Sequence, residues 1–165
     1  VIPTRGLFGF RSQLLSLTRG TGILNHSFHN YVPYCGELAR RKNGVLISLE
    51  NGSTTQHSLF NLQDRGIMFL GPSEEVYTGM IIGENNKDND LVVNICKGKK
   101  LTNVRASGSD DTVSIAPPRI MSLEQVLGYL NDDELAEITP TSIRLRKRHM
   151  DENERKRASK TQKVA

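Results

Sequence analysis

Ser122-Leu123-Glu124-Gln125-Val126-Leu127-Gly128-Tyr129-Leu130 is followed closely by Glu134-Leu135-Ala136-Glu137-Ile138 and Ile143-Arg144-Leu145-Arg146-Lys147-Arg148. The first stretch opens with a capping box. Ser122 can accept from the backbone of Gln125, and the Gln125 amide can reach back, so two orphan helix donors are satisfied together. A helix running to Leu130 is expected. The other two stretches flank Thr139-Pro140 and read as a closing pair of strands. Helix and paired strands in one short region predict an α+β fold.

Upstream the chain is mostly β. Ile67 to Leu70, Gly79 to Gly83, Leu91 to Cys96 and Thr112 to Ile115 are strand candidates separated by Pro and Gly breaks. His57 to Asp64 reads as a short helix stopped by Gly66. Val45 to Glu50, the Asn51-Gly52 pair and Ser53-Thr54-Thr55 read as a hairpin, since Asn-Gly supplies the two positive-φ residues of a tight turn. The first 34 residues have a different pattern. Val1 to Leu7 looks like the tail of a strand; Phe10, Leu14 and Leu17 recur at helical spacing up to Gly20; Gly22 to Tyr31 reads as a second strand. Strand, helix, strand is half of a ferredoxin-like split βαβ domain, with Phe10, Leu14 and Leu17 turned toward its sheet. Three regions are therefore expected: residues 1–35, a mostly β domain with one or two short helices at 36–150, and a polar, basic tail at 151–165 that frays. A chain opening on Val1 inside a strand is expected to be part of something longer.

Composition narrows the function. The 165 residues are 36% hydrophobic and 24% charged, with net charge +4 and pI about 9.2. No apolar run approaches the ~18 residues a membrane helix needs, and no signal peptide is evident, so no membrane partner and a cytoplasmic setting are expected. Cys35 and Cys96 lie far apart without metal-ligand spacing and read as reduced thiols. Gly98-Lys99 is followed by Lys100 where a phosphate-binding loop needs Ser or Thr, and Val93 stands where that loop needs Gly, so no nucleotide site is expected in this chain. His26 and His29 would face opposite ways in a strand. Asp88-Asn89-Asp90 lacks the glycine and glutamate of a calcium loop and reads as a solvated turn. No nucleophile elbow is present. Neither a metal, a cofactor nor a catalytic residue is expected here.

Two basic segments remain. Lys97, Lys99, Lys100 and Arg105 fall within nine residues, with Thr102, Asn103 and Ser107 among them. Such a stretch suits phosphate oxygens, and Asn103 could reach a base edge or a 2′-hydroxyl. In the second segment, strand alternation puts Arg144, Arg146 and Arg148 on one face and Ile143, Leu145 and Lys147 on the other, with Arg155, Lys156, Arg157 and Lys160 beyond. Each segment also reads as ordinary solvated surface. Together with the pI they favour a nucleic-acid partner, recognised by shape and phosphate, because no stretch mixes aromatic with basic residues as an RNA-recognition sheet does.

Longer motifs carry a resemblance. Ile2-Pro3-Thr4-Arg5-Gly6-Leu7-Phe8-Gly9-Phe10 and Ser16-Leu17-Thr18-Arg19-Gly20-Thr21-Gly22 resemble the late part of domain V of elongation factor G-type GTPases. Glu75-Val76-Tyr77-Thr78-Gly79-Met80-Ile81-Ile82-Gly83-Glu84, Leu101-Thr102-Asn103-Val104-Arg105 and Ile143 to Arg148 are similar to the C-terminal domain of the BipA/TypA branch. The resemblance implies that residues 1–35 are the second half of domain V and that 36–150 are the C-terminal domain. It further implies an RNA-contacting part of a translational GTPase, with GTP, Mg and catalysis belonging to domains outside this chain. The implied partners are the ribosome, large-subunit rRNA and the acceptor end of the A-site tRNA. The implied roles are in ribosome biogenesis and stress response, and the implied contacts are Lys97, Lys99, Lys100, Asn103 and Arg105. The alternative is a free-standing RNA- or protein-binding β domain unrelated to GTPases.

Overall fold

Val45-Leu46-Ile47 is an apolar run without alternation, as a strand with both faces covered requires. In the computed structural model, which describes residues 1–7, 9–34, 36, 41–98 and 114–162, this run is β1 (Val45–Ser48), and every one of its residues is buried. The chain divides into two compact units, Val1–Arg41 with Met121–Asn131, and Lys42–Ile120 with Asp132–Ala165.

The larger unit is built on a mixed sheet. Its strands are β1, β3 (Gly66–Met68), β5 (Met80–Asn85), β6 (Leu91–Val93), β7 (Glu134–Ile138) and β8 (Ile143–Lys147), in the order β6-β1-β5-β8-β7 with β3 also paired to β5. β1 runs parallel to β6 and antiparallel to β5, with a bulge between Leu46 and Ile47. β7 and β8 form the expected hairpin, Glu134 opposite Lys147 and Glu137 opposite Arg144. On one side of the sheet Leu46, Met80, Ile82 and Val93 cluster with Leu59 and Leu62 of α2 (Gln56–Leu62). Thr55 caps α2, accepting from the Ser58 backbone, and the helix tightens into a 3-10 turn, Gln63–Arg65, before Gly66.

Three expectations are corrected here. Asn51-Gly52 does not close a hairpin on β1. Both edges of β1 are occupied by β5 and β6, so β2 (Gly52–Ser53) pairs instead with β4 (Glu75–Val76), a strand the sequence did not announce. The tail does not begin by fraying: α4 (Glu152–Gln162) forms, its first turn capped by Asp151, whose carboxylate accepts from the backbones of Asn153 and Glu154. Thr112 to Ile115 falls partly outside the described residues, and its described end is not a strand, although Ile115 packs against the core.

The smaller unit contains a 3-10 turn (Thr4–Leu7), α1 (Phe10–Leu17) and α3 (Leu123–Tyr129). α1 stops at Gly20 as expected: Arg19 and Gly20 take positive φ, and the Gly20 N–H donates to the Leu15 carbonyl. α3 carries the full Ser122–Gln125 capping box. Ser12 donates to Glu124, and the Arg41 guanidinium lies over the Tyr129 ring. The expected flanking strands are not formed among the described residues 1–34, and Phe10 and Leu17 are exposed, not turned onto a sheet. An extended segment becomes a strand only when a neighbour takes its N–H and C=O groups, and among the described residues no strand pairs with this segment. The mixed α+β class holds.

Candidate nucleic-acid interface

The first basic segment leaves the sheet after β6 and starts at Lys97. The Lys97 carbonyl accepts two hydroxyl hydrogen bonds, from Thr55 and Ser58 at the start of α2, both at 2.7 Å. The Lys97 side chain remains exposed. At the other end, the Ala116 N–H donates to Gln63 Oε1 at the end of α2. Arg119 then fixes the return, its N–H donating to the Met68 carbonyl and its guanidinium pairing with Glu84 at 3.0 Å. The two described ends of this stretch, Lys97 and Ala116, are thus tied to α2 and Gln63 by neutral groups, and the Lys97 ammonium takes no part in those bonds. Lys99, Lys100, Asn103 and Arg105 lie outside the described residues.

The arginine face on β8 keeps the expected alternation, with Leu145 and Lys147 buried and Arg144, Arg146 and Arg148 turned the other way. The three arginines are not equivalent. Arg146 Nε donates to Glu137 Oε1 at 2.6 Å, and the Tyr77 hydroxyl donates to the other oxygen of the same carboxylate at 2.6 Å. Burial, then the hydrogen bond to Glu137 and its charge, push the Tyr77 phenol far above the usual tyrosine range. Arg146 is therefore held and locally neutralised. Arg144 is half-buried and Arg148 exposed, and neither has an ion-pair partner among the described residues.

Lys147 is the larger surprise. Its side chain is 2% exposed and its ammonium reaches Asp90 at 2.6 Å, Asp133 at 2.7 Å and Glu134 at 2.9 Å, the last carboxylate being fully enclosed. Burial opposes the charge, but the hydrogen bonds to Asp133 and Asp90 and the charge of Glu134 outweigh it and raise the lysine pKa. Asp90 also accepts the Val45 N–H, so the expected solvated turn at Asp88-Asn89-Asp90 instead contributes a structural carboxylate that ties β1 to β8. Cys96 is a free thiol that burial, with help from Glu50, pushes up, away from nucleophilic use. Cys35 lies outside the described residues. Among those residues no three His, Cys, Asp or Glu side chains are grouped to hold a metal ion, and no helix is long and apolar enough to cross a membrane.

Comparison with known proteins places this architecture. Residues 43–152 match the TypA/BipA C-terminal domain, and residues 1–42 match the elongation factor G C-terminus. The chain belongs to the BipA/TypA family. Among its relatives is the large ribosomal subunit assembly factor BipA of Bacillus subtilis, 53% identical over 165 residues. The proteins of the same name from Salmonella typhimurium and Escherichia coli K12 are 56% and 54% identical over 164 residues. Each alignment covers 99% of this chain and 27% of the relative, so the chain spans about a quarter of the length of these curated proteins.

The BipA/TypA-like stretch Glu75 to Glu84 is where the larger unit is knotted together. The Thr78 N–H donates to the Asn51 side chain and its hydroxyl to the Leu49 carbonyl, while the Gly79 N–H donates to the Ser48 carbonyl. Gly79 has φ +84, and a Cβ there would sit 2.7 Å from Met150 Cα, so glycine is required twice over. Its carbonyl accepts the Lys147 N–H. Tyr77 and Glu137, absent from the sequence-based candidates, hold the arginine face. Tyr77 had membership of that motif as its advance signal, and Glu137 only its place in an expected strand.

Proposed function

We propose that the chain is the RNA-contacting C-terminal part of a ribosome-associated translational GTPase. Its basic segment, Lys97 to Arg105, reaches the acceptor end of the A-site tRNA and large-subunit rRNA, and Arg144 and Arg148 contribute phosphate contacts beside it. The relatives named for large-subunit assembly support a ribosomal partner and a cytoplasmic setting. The observation that carries the reading is the mooring of both stems of the basic segment to α2 through Thr55, Ser58 and Gln63, which leaves the Lys97 ammonium outward. On this reading GTP and Mg bind in domains outside the chain, and no residue here catalyses.

Filter binding to tRNA acceptor-stem RNA and to large ribosomal subunits over a salt series tests it. Phosphate contacts from Lys97, Lys99, Lys100 and Arg105 contribute roughly −3 to the slope of log affinity against log salt, at ~0.7–0.9 per contact, and Arg144 and Arg148 add about −1.5 more. Asn103→Ala leaves the slope unchanged and weakens only the cognate RNA, since a neutral side chain releases no counterion. A slope near zero, or binding indifferent to all five substitutions, overturns the assignment and favours docking on protein.

A further inference from the structure

α2 turns Ser58, Leu59 and Leu62 inward and leaves Gln56, His57, Phe60 and Asn61 exposed. Spacing of three and four residues puts His57, Phe60 and Asn61 side by side on the outer face. The Asn61 amide nitrogen and His57 Nε2 are 3.1 Å apart, so these polar groups steady one another beside a phenyl ring that is 42% exposed. One exposed apolar side chain is ordinary on a protein surface. The surroundings of Phe60 are not ordinary. The basic segment is fastened at Lys97 to the first turn of this helix and at Ala116 to Gln63, just past its last turn. Roughly 12 Å of helix separates those moorings, and Phe60 lies between them. Exposed cations stand at both ends, Lys97 at the start and Arg65, next to the exposed Asp64, at the finish.

We propose that the outer face of α2 is a nucleotide platform, on which Phe60 stacks an unpaired base of the RNA whose phosphates meet the basic segment. His57 and Asn61 present donor and acceptor groups to the edge of that base or to its 2′-hydroxyl. The inference rests on the RNA-contact reading above and adds to it a second kind of contact. An aromatic face accepts any base, because every base has a π-face, while cations at either end attract the flanking phosphates. The same face without the cations would suit an apolar protein surface equally well; the charge at its two ends selects RNA. A base can only be stacked where it is unpaired, so the platform distinguishes a single-stranded end from a duplex, which a phosphate-only surface does not.

The chain contains no tryptophan, so Phe60→Trp places a single indole at the proposed contact. The probes are two RNA hairpins of identical stem, one blunt and one ending in a single-stranded 3′ overhang. The overhang hairpin is expected to quench the indole emission, and the blunt hairpin to leave it unchanged. Phe60→Ala is expected to weaken binding of the overhang hairpin by about tenfold or more, with the blunt hairpin and the salt slope unaffected. Phe60→Leu should behave as Phe60→Ala, because it keeps apolar area but loses the ring. An indole indifferent to the overhang, or a Phe60→Ala chain that binds both hairpins like the parent while Lys97→Ala weakens both, overturns the platform and leaves the RNA reading intact. A parent chain that binds neither hairpin overturns both.

Discussion

The two basic regions of the larger unit are built in opposite ways. On the β7–β8 hairpin two of the cations are consumed internally: Arg146 by Glu137, and Lys147 by Asp90, Asp133 and Glu134. At α2 the basic segment is held by the hydroxyls of Thr55 and Ser58 and the amide of Gln63, and the Lys97 charge faces solvent. Counting lysines and arginines along the sequence makes the hairpin look as strong a candidate as the segment. The hairpin's charge available to a polyanion is smaller than that count, because a cation already facing a carboxylate releases fewer counterions when a phosphate approaches.

The sharpest way to break this comparison is to remove Lys147. Truncation leaves the enclosed Glu134 carboxylate without its counter-charge, and losing one partner of a buried pair costs about 3–5 kcal/mol. Lys147→Ala should therefore lose that much stability in urea unfolding, while a variant that also carries Glu134→Leu should recover much of it. The pH dependence follows from the sign of the shift. The folded lysine pKa is raised, so its stabilisation is fully present below the unfolded value of about 10.4. It is lost only as the pH climbs through the higher folded value. The difference between parent and variant should stay flat from pH 7 to pH 10. A gap that closes in that range would show that Lys147 is not the charged centre of the cluster.

A smaller effect separates the arginines. Arg144→Ala and Arg148→Ala should each shallow the RNA salt slope by about 0.7–0.9. Arg146→Ala should leave the slope nearly unchanged and cost about 1 kcal/mol of stability, since its partner Glu137 is partly solvated. Equal slope changes for all three would mean that Glu137 does not hold the Arg146 charge in the complex.

How much of this was legible follows from the range of each interaction. The Ser122–Gln125 box and the β7–β8 pair depend on neighbours a few residues apart, so their patterns are visible in the chain. Strand alternation even put Lys147 on the inner side of β8. What alternation cannot supply is the set of partners. Asp90 lies far from Lys147 in sequence, and in a run of Arg and Lys a buried lysine looks like one more solvated charge. The Asn51-Gly52 turn was misread for the same reason: a local turn signal was overridden because distant strands had already taken both edges of β1. In residues 1–34, helical spacing and the Gly20 stop were readable, but a strand depends on a partner that periodicity does not reveal. For the interface, the basic residues were visible from composition, whereas the hydroxyls that hold the Lys97 carbonyl, Thr55 and Ser58, had looked like an ordinary turn and helix start.

Those hydroxyls give the smallest expected effect on the salt slope and the finest test of the comparison. Thr55→Val combined with Ser58→Ala removes both hydrogen bonds to the Lys97 carbonyl, and also the cap of α2, while leaving every charge in place. Hydrogen bonds at a partly exposed site contribute on the order of 1 kcal/mol each, and an N-cap about as much. Thr55 serves in both roles, so three hydrogen bonds are lost and the combined loss of stability should be about 2–3 kcal/mol. The salt slope of RNA binding should not move, because no cation is lost. Affinity should fall by a few-fold at every salt concentration, because a segment with one stem released must be ordered by the RNA itself. That parallel displacement of the salt plot is the signature of mooring. If the plot changes slope instead, the hydroxyls govern which cations reach phosphate. If it does not move at all, the segment organises itself without α2, and the contrast between a moored segment and an internally neutralised hairpin reduces to charge alone.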